Sequence, residues 1–269
     1  MIFILGSPRT GSTLIYQIII NTHNLCYFNN LTNKYFYKHP FISTFASQLI
    51  STNANFKSEY GKTKGLFAPS EGSKIFANWF GKQNHLTPDK ERLILSTFKN
   101  INRFIKNPIV TKNAWNCFRI ETLTKLFPKC KFIWIRRDIV QSAISDLKSR
   151  YIRGGPYVWN SAPTHDCMKI IKLPYWEQVV EQQYSYNKTI ENDLKKYCPD
   201  NYIELWYENL CNDLDGQLSD ISAFLNMKQK KEITTQFEIQ TYDADDNFVK
   251  IFEYTKHNIN KFKGYINVY

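Results

Sequence analysis

Two glycines bracket a short polar run near the start of the chain, Gly6-Ser7-Pro8-Arg9-Thr10-Gly11, which continues into Ser12-Thr13. The run comes after the apolar Phe3-Ile4-Leu5 and leads into Leu14-Ile15. A loop so placed can turn its backbone N–H groups toward an anion at the positive end of the next helix. The glycine spacing is that of a Walker A loop, yet Ser12 stands where the lysine for the β- and γ-phosphates belongs, and Arg9 is the loop's one cation. A nucleoside triphosphatase without that lysine loses its main charge clamp on the transferred phosphoryl group. The phosphate held here therefore reads as an anchor rather than a reactant. An ordinary strand-turn-helix connection has no use for Pro, Arg and clustered hydroxyls between two glycines.

Three further side chains could do chemistry. Glu71, in Ala68-Pro69-Ser70-Glu71-Gly72, is a carboxylate on a punctuated turn. It is a candidate acid or base, with capping of a helix over 73–80, by Ser70 or Glu71, the competing use. Lys112 comes after the apolar Pro108-Ile109-Val110-Thr111. Arg137 comes after Lys131-Phe132-Ile133-Trp134-Ile135, with Ser145 about two helical turns further on. His23 reads as a helix-terminal residue. The cysteines at 26, 117, 130, 167, 198 and 211 never form CxxC or flank a histidine at zinc spacing, so they read as reduced thiols and no metal site is expected.

These residues need a scaffold, and the apolar pattern supplies one. Strands are expected at 3–5, 25–28, 108–111, 131–135 and 202–206, with helical periodicity after the loop and over 73–80, 87–106, 120–127, 139–147, 176–194 and 218–225. Strand-helix alternation implies an α/β fold of P-loop type, a single domain over 1–269 with a mostly parallel sheet flanked by helices and ligands at the strands' C-terminal ends. Arg9, Lys112 and Arg137 then converge on one rim. One phosphate needs fewer cations; a nucleotide with phosphates at both ends of its ribose and a reacting anionic group would use all three. Residues 31–70 read as a helical insertion and then a loop. Residues 150–175, punctuated by Gly154-Gly155-Pro156, Pro163 and Pro174, read as a loop or lid that can be disordered without ligand. The tail from Asp243 reads as a solvated basic end.

Lysine and arginine number 35 against 24 acids, a formal charge of +11 that favours a nucleotide, nucleic acid, acidic glycan or membrane surface as partner. Nucleic acid would call for a dense basic run, a helix-turn-helix or a zinc finger, and the sequence has none. No apolar run approaches the ~20 residues that span a bilayer, and the chain opens on a core strand without a basic leader. A cytoplasmic protein is expected.

The blocks together resemble a sulfotransferase that uses 3′-phosphoadenosine 5′-phosphosulfate, in the bacterial and protein-tyrosine-sulfotransferase-like branch. Ser7-Pro8-Arg9-Thr10-Gly11-Ser12-Thr13 is similar to that family's 5′-phosphosulfate loop. The resemblance implies that Pro8 to Thr13 bind the donor and that Arg9 grips its 5′ end. Phe132-Ile133-Trp134-Ile135-Arg136-Arg137-Asp138 with Ser145 resembles the 3′-phosphate site, where an arginine and a serine hold that phosphate. Lys112, with Leu126-Phe127-Pro128 after it, matches a lysine near the transferred group. Leu205-Trp206-Tyr207-Glu208-Asn209-Leu210 resembles the family's Leu-Arg-Tyr-Glu-Asp-Leu segment, whose tyrosine approaches the nucleotide, and Asn260-Lys261-Phe262 resembles a Ser-Lys-Trp piece whose lysine reaches it.

One departure bears on mechanism. The tyrosine sulfotransferases place a basic glutamate just after the second strand, where this chain has Asn29-Asn30. Glu71 is the leading replacement base, with His85 and His165 behind it. The resemblance implies in-line attack by an acceptor hydroxyl or amine of a small molecule or glycan, expulsion of adenosine 3′,5′-bisphosphate, stabilisation by Arg9 and Lys112, and no metal. The alternatives are a P-loop small-molecule kinase, with Asp138 as its magnesium carboxylate, and an inactive nucleotide- or glycan-binding protein.

Overall fold

In the computed structural model, residues 1–41, 56–58, 61–81, 86–242 and 245–267 are described. Strands Ile2–Leu5 (β1), Cys26–Tyr27 (β2), Ile109–Lys112 (β3), Lys131–Arg136 (β4) and Tyr202–Trp206 (β5) form one parallel sheet in the order β2-β3-β1-β4-β5. The expected mostly parallel sheet is thus parallel throughout its described strands. β1 and β4 are apolar on both faces, the pattern of a parallel strand covered on two sides. Phe3, Leu5, Phe132 and Trp134 face one core; Ile2, Ile4, Ile133 and Ile135 face the other. Phe3 stacks on Phe132 with ring centroids 5.5 Å apart. Burying an aromatic or aliphatic side chain of this size contributes about 1.5–3 kcal/mol, so the central pair of strands is a rigid platform for the loops at their C-terminal ends.

Helices cover both faces: Ser12–Thr22 (α1), Asn30–Tyr35 (α2), Ser73–Phe80 (α3), Pro88–Phe104 (α4), Ile120–Leu126 (α5), Ile139–Ile152 (α6), Cys167–Ile170 (α7), Tyr175–Tyr197 (α8), Tyr207–Asn212 (α9), Leu214–Leu225 (α10), Asp246–His257 (α11) and Ile259–Phe262 (α12). A 3-10 helix at Ala114–Phe118, which the sequence pattern did not announce, comes directly after β3. Among the described residues no helix is long and apolar enough to cross a membrane. The six cysteines form no disulfide. Much of the insertion expected over 31–70 falls on residues 42–55 and 59–60, outside the described residues, as does His85.

Two expectations for the second half need correction. Residues 153–174 are not a loose lid. Buried Arg150 of α6 donates to Pro156 O (3.2 Å), Gln178 Oε1 (2.9 Å) and Gln182 Oε1 (2.6 Å), and Tyr186 donates to Ala162 O (2.6 Å). Gln178, Gln182 and Tyr186 lie at four-residue intervals on α8, so one helix face supplies the hydrogen bonds that fix the segment. The tail is not a solvated end either. Ile251 of α11 and Phe262 of α12 are buried with Val179 and Val180 of α8 in a third cluster.

Candidate functional site

The loop between β1 and α1 is built by backbone geometry as much as by side chains. Arg9 has φ 71° and Gly11 φ 82°, both left-handed, and Thr10 Oγ1 donates to Ser7 O at 2.9 Å, closing the turn. Gly11 caps α1 with no side-chain hydrogen bond, so the first-turn N–H groups are offered to the cleft rather than to a capping side chain. A Cβ at Gly11 would sit 2.6 Å from Tyr207 Cδ2. Gly11→Ala is therefore expected to lower folding stability by about 1–3 kcal/mol; an unchanged denaturation midpoint would contradict this.

Pro8, Arg9, Gly11, Ser12 and Thr13 line a cleft of about 840 Å³ above the C-terminal end of β1. Thr10 is not among the lining residues, its hydroxyl being spent on the turn. Lys112 and Arg137, one at the end of β3 and one just past β4, line the same cleft because β3 and β4 flank β1. The arrangement matches the crevice beyond the carboxyl ends of strands where an open sheet changes winding direction.

Arg137 is 5% exposed. Its Nη1 donates to Arg9 O at 3.1 Å and its Nη2 to Gln240 O at 2.5 Å, while the guanidinium lies 4.7 Å from the Tyr207 ring centroid. Ser145 Oγ accepts from Arg9 Nε (3.1 Å) and from Tyr242 OH (2.8 Å), so its direct partner in the loop is Arg9. Tyr207 OH donates to Glu238 O at 3.3 Å, and burial pushes its phenol up to about 12, which keeps it protonated at neutral pH. Glu238, Gln240 and Tyr242 belong to a stretch without regular secondary structure, laid across these side chains. No periodicity marks that strap in the sequence.

Across the cleft, Lys112 Nζ donates to Glu71 Oε1 in an ion pair whose side chains are 12% and 28% exposed. Glu71 is held there by its neighbours: Ser70 N donates to Phe28 O (2.7 Å), and Asn113 Nδ2 donates to Glu71 O (3.0 Å). The capping alternative is settled as well. Gly72 caps α3, and the Glu71 carboxylate points to Lys112 instead.

The other candidates sit elsewhere. Asn29 Oδ1 caps α2, accepting from Thr32 N (2.9 Å) and Thr32 Oγ1 (2.6 Å), and Asn30 Nδ2 donates to Thr63 O and Gly65 O, both at 2.9 Å. His23 is buried at the end of α1 between Thr22 and Ser222, and burial lowers its pKa. His165 is exposed and meets the edge of Phe118. Lys261 lies outside the cleft lining, its Nζ 2.6 and 2.7 Å from the Glu181 carboxylate oxygens. Asp138 caps α6, accepting from Gln141 N (3.0 Å) and Asn267 N (3.0 Å). Sequence reasoning missed Ser149, Arg153 and Asn160, which line the cleft from α6 and the segment after it.

A model of the sulfotransferase family matches residues 2–231. The omega-hydroxy-beta-dihydromenaquinone-9 sulfotransferases Stf3 of Mycobacterium bovis and Mycobacterium tuberculosis are each 28% identical over 125 residues, covering 45% of this chain but only 29% of their own length. Solved structures share the fold. The sulfotransferase domain from the curacin biosynthetic pathway aligns with TM-score 0.53 at 17% identity, over 100% of this chain and 92% of its own. A sulfotransferase from Alicyclobacillus acidocaldarius aligns with TM-score 0.54 at 11% identity, over 99% and 96%.

Proposed function

This chain belongs to the sulfotransferase family, and from that premise we propose that it moves a sulfuryl group from 3′-phosphoadenosine 5′-phosphosulfate to a hydroxyl or amine of a small-molecule or glycan acceptor. One observation carries the reading: the Arg9 loop and Arg137 are bonded to each other above β1, and the Glu71–Lys112 pair borders the same cleft. A donor with phosphates at both ends of its ribose fits that arrangement. The left-handed loop and the α1 N-terminus suit the 5′ end, and the Arg137 guanidinium, with Ser145 beyond Arg9, suits the 3′-phosphate.

When bound, the donor supplies the sulfuryl group and leaves as adenosine 3′,5′-bisphosphate. Arg9 and Lys112 provide fixed positive charge where negative charge develops, in a partly desolvated site where it acts more strongly than in water. Glu71 takes the proton from the acceptor. Tyr207, held protonated, supports the Arg137 guanidinium through its ring. The kinase alternative is disfavoured because both Asp138 oxygens are already committed to backbone N–H groups. The inactive-binder alternative rested on Asn29 and Asn30, and the ion-paired carboxylate at Glu71 offers a base in their place.

Adenosine 3′,5′-bisphosphate is expected to stabilise the fold without magnesium. At one hundred times Kd the gain is about 2.7 kcal/mol, roughly several degrees in a thermal scan of a domain of this size. Arg137→Ala should weaken the bisphosphate about tenfold or more while changing adenosine 5′-phosphate far less, as expected for losing a charge-assisted bond to one phosphate. A shift seen with ATP and magnesium but not with the bisphosphate would overturn the donor assignment. Equal losses for both nucleotides would move Arg137 away from the 3′-phosphate.

A further inference from the structure

A second cavity, of about 430 Å³, adjoins the main cleft and shares Glu71, Asn113, Ala114 and Ser161 with it. That volume is at the small end of small-molecule sites, which run to about 300–1,000 Å³. Phe76 and Ala77 of α3 and Trp115 of the 3-10 helix line it, as does Arg119, which is only 4% exposed. The Arg119 guanidinium lies 4.2 Å from the Phe80 ring centroid, 5.7 Å from that of Trp115 and 5.8 Å from that of Phe76. Among the described lining residues Glu71 is the one carboxylate, at the junction with the main cleft.

This cavity is therefore charged at two places, Glu71 and Arg119, with the rings of Phe76 and Trp115 in its walls. Burial lowers the Arg119 pKa to about 9, which still leaves it cationic at neutral pH. A guanidinium taken out of water gains most from a planar anion able to accept two parallel N–H bonds, and the rings beside it favour a flat body. Ser161, at the junction of the two cavities, has φ 75° in the left-handed region that non-glycine residues rarely adopt, the kind of strain that gathers at ligand sites.

We propose that the second cavity seats the acceptor and selects a flat hydroxylated carboxylic acid, with its hydroxyl at Glu71 and its carboxylate on Arg119. The assignment rests on the sulfotransferase reading of the main cleft. It narrows the acceptor to a small acid, because a pocket of this size with a buried guanidinium in its wall offers little to a polysaccharide or a folded peptide segment.

The test is calorimetric binding of 6-hydroxy-2-naphthoate and of 2-naphthol, which lacks the carboxylate, to the protein saturated with adenosine 3′,5′-bisphosphate. The naphthoate is expected to bind about tenfold tighter or more. Arg119→Met should abolish that preference and leave bisphosphate affinity unchanged. Ala77→Trp, a change on an exposed position of α3 that fills the cavity from another wall, should block the naphthoate with the same indifference to bisphosphate. The second variant and the wild-type comparison decide the matter even where Arg119→Met does not fold. Equal binding of the two probes, no binding of the naphthoate, or a preference that survives Arg119→Met overturns the pocket assignment. Failure of the bisphosphate itself to bind is a separate result, and it falls on the donor reading instead.

Discussion

Lys112→Ala is expected to lower turnover by about 10²- to 10³-fold, the effect of removing one preorganised donor from a developing anion. Lys112 ends the strand next to β1, which fixes its backbone, and its side chain is largely withdrawn from water against Glu71. A cation so held needs no reorganisation at the moment of reaction. Because the charge it meets grows during the transfer, bisphosphate affinity should change only modestly. Turnover under saturating donor and equilibrium binding of the bisphosphate are the two measurements. A parallel loss in both would make Lys112 a donor-binding residue, since an interaction made only in the transition state lowers kcat without weakening the ground state.

Glu71→Gln should retain bisphosphate affinity and lower turnover by about 10²-fold or more, within the range that positioned proton transfer contributes. The amide keeps the shape and still offers an oxygen to Lys112, so the loss isolates the charge and the basicity. Because Glu71 and Lys112 touch, the two changes should not add. The double variant should fall well short of the product of the single losses, as contacting residues do. Near-normal turnover of Glu71→Gln on a true acceptor would reduce Glu71 to an anchor for Lys112 and turn attention to His85, His165 or an acceptor acidic enough to need no base.

Local signals carried most of the scaffold into view. The Gly-bracketed loop, the strand into Arg136-Arg137 and the strand before Lys112 each combine a short apolar run with a polar stop, and their order implied a parallel sheet with a shared rim. What stayed hidden depended on contacts between distant residues. Lys261 is drawn to Glu181 across 80 positions, a pairing that a three-residue resemblance cannot foresee. The segment after Gly154 looked loose because its Gly and Pro residues are visible in sequence, whereas its ties to Arg150, Gln182 and Tyr186 are not. The 3-10 helix carrying Trp115 was closer to legible: Asn113 caps it, accepting from Trp115 N at 3.1 Å, and asparagine before a short apolar run is a known turn starter.

The strap over Arg137 has a further meaning for selectivity. Gln240 O and Arg9 O each already accept one bond from the guanidinium's two Nη groups, and Glu238 O accepts from Tyr207. On the proposed donor reading, a phosphate that took the place of these carbonyls would make an exchange, its net gain being the difference between a charged acceptor and a neutral one. A nucleoside that offered only a hydroxyl there would have no such surplus over the carbonyls of the strap. On that reading the strap would act as an internal competitor that sets a threshold of charge at Arg137, favouring a phosphate there over an uncharged group.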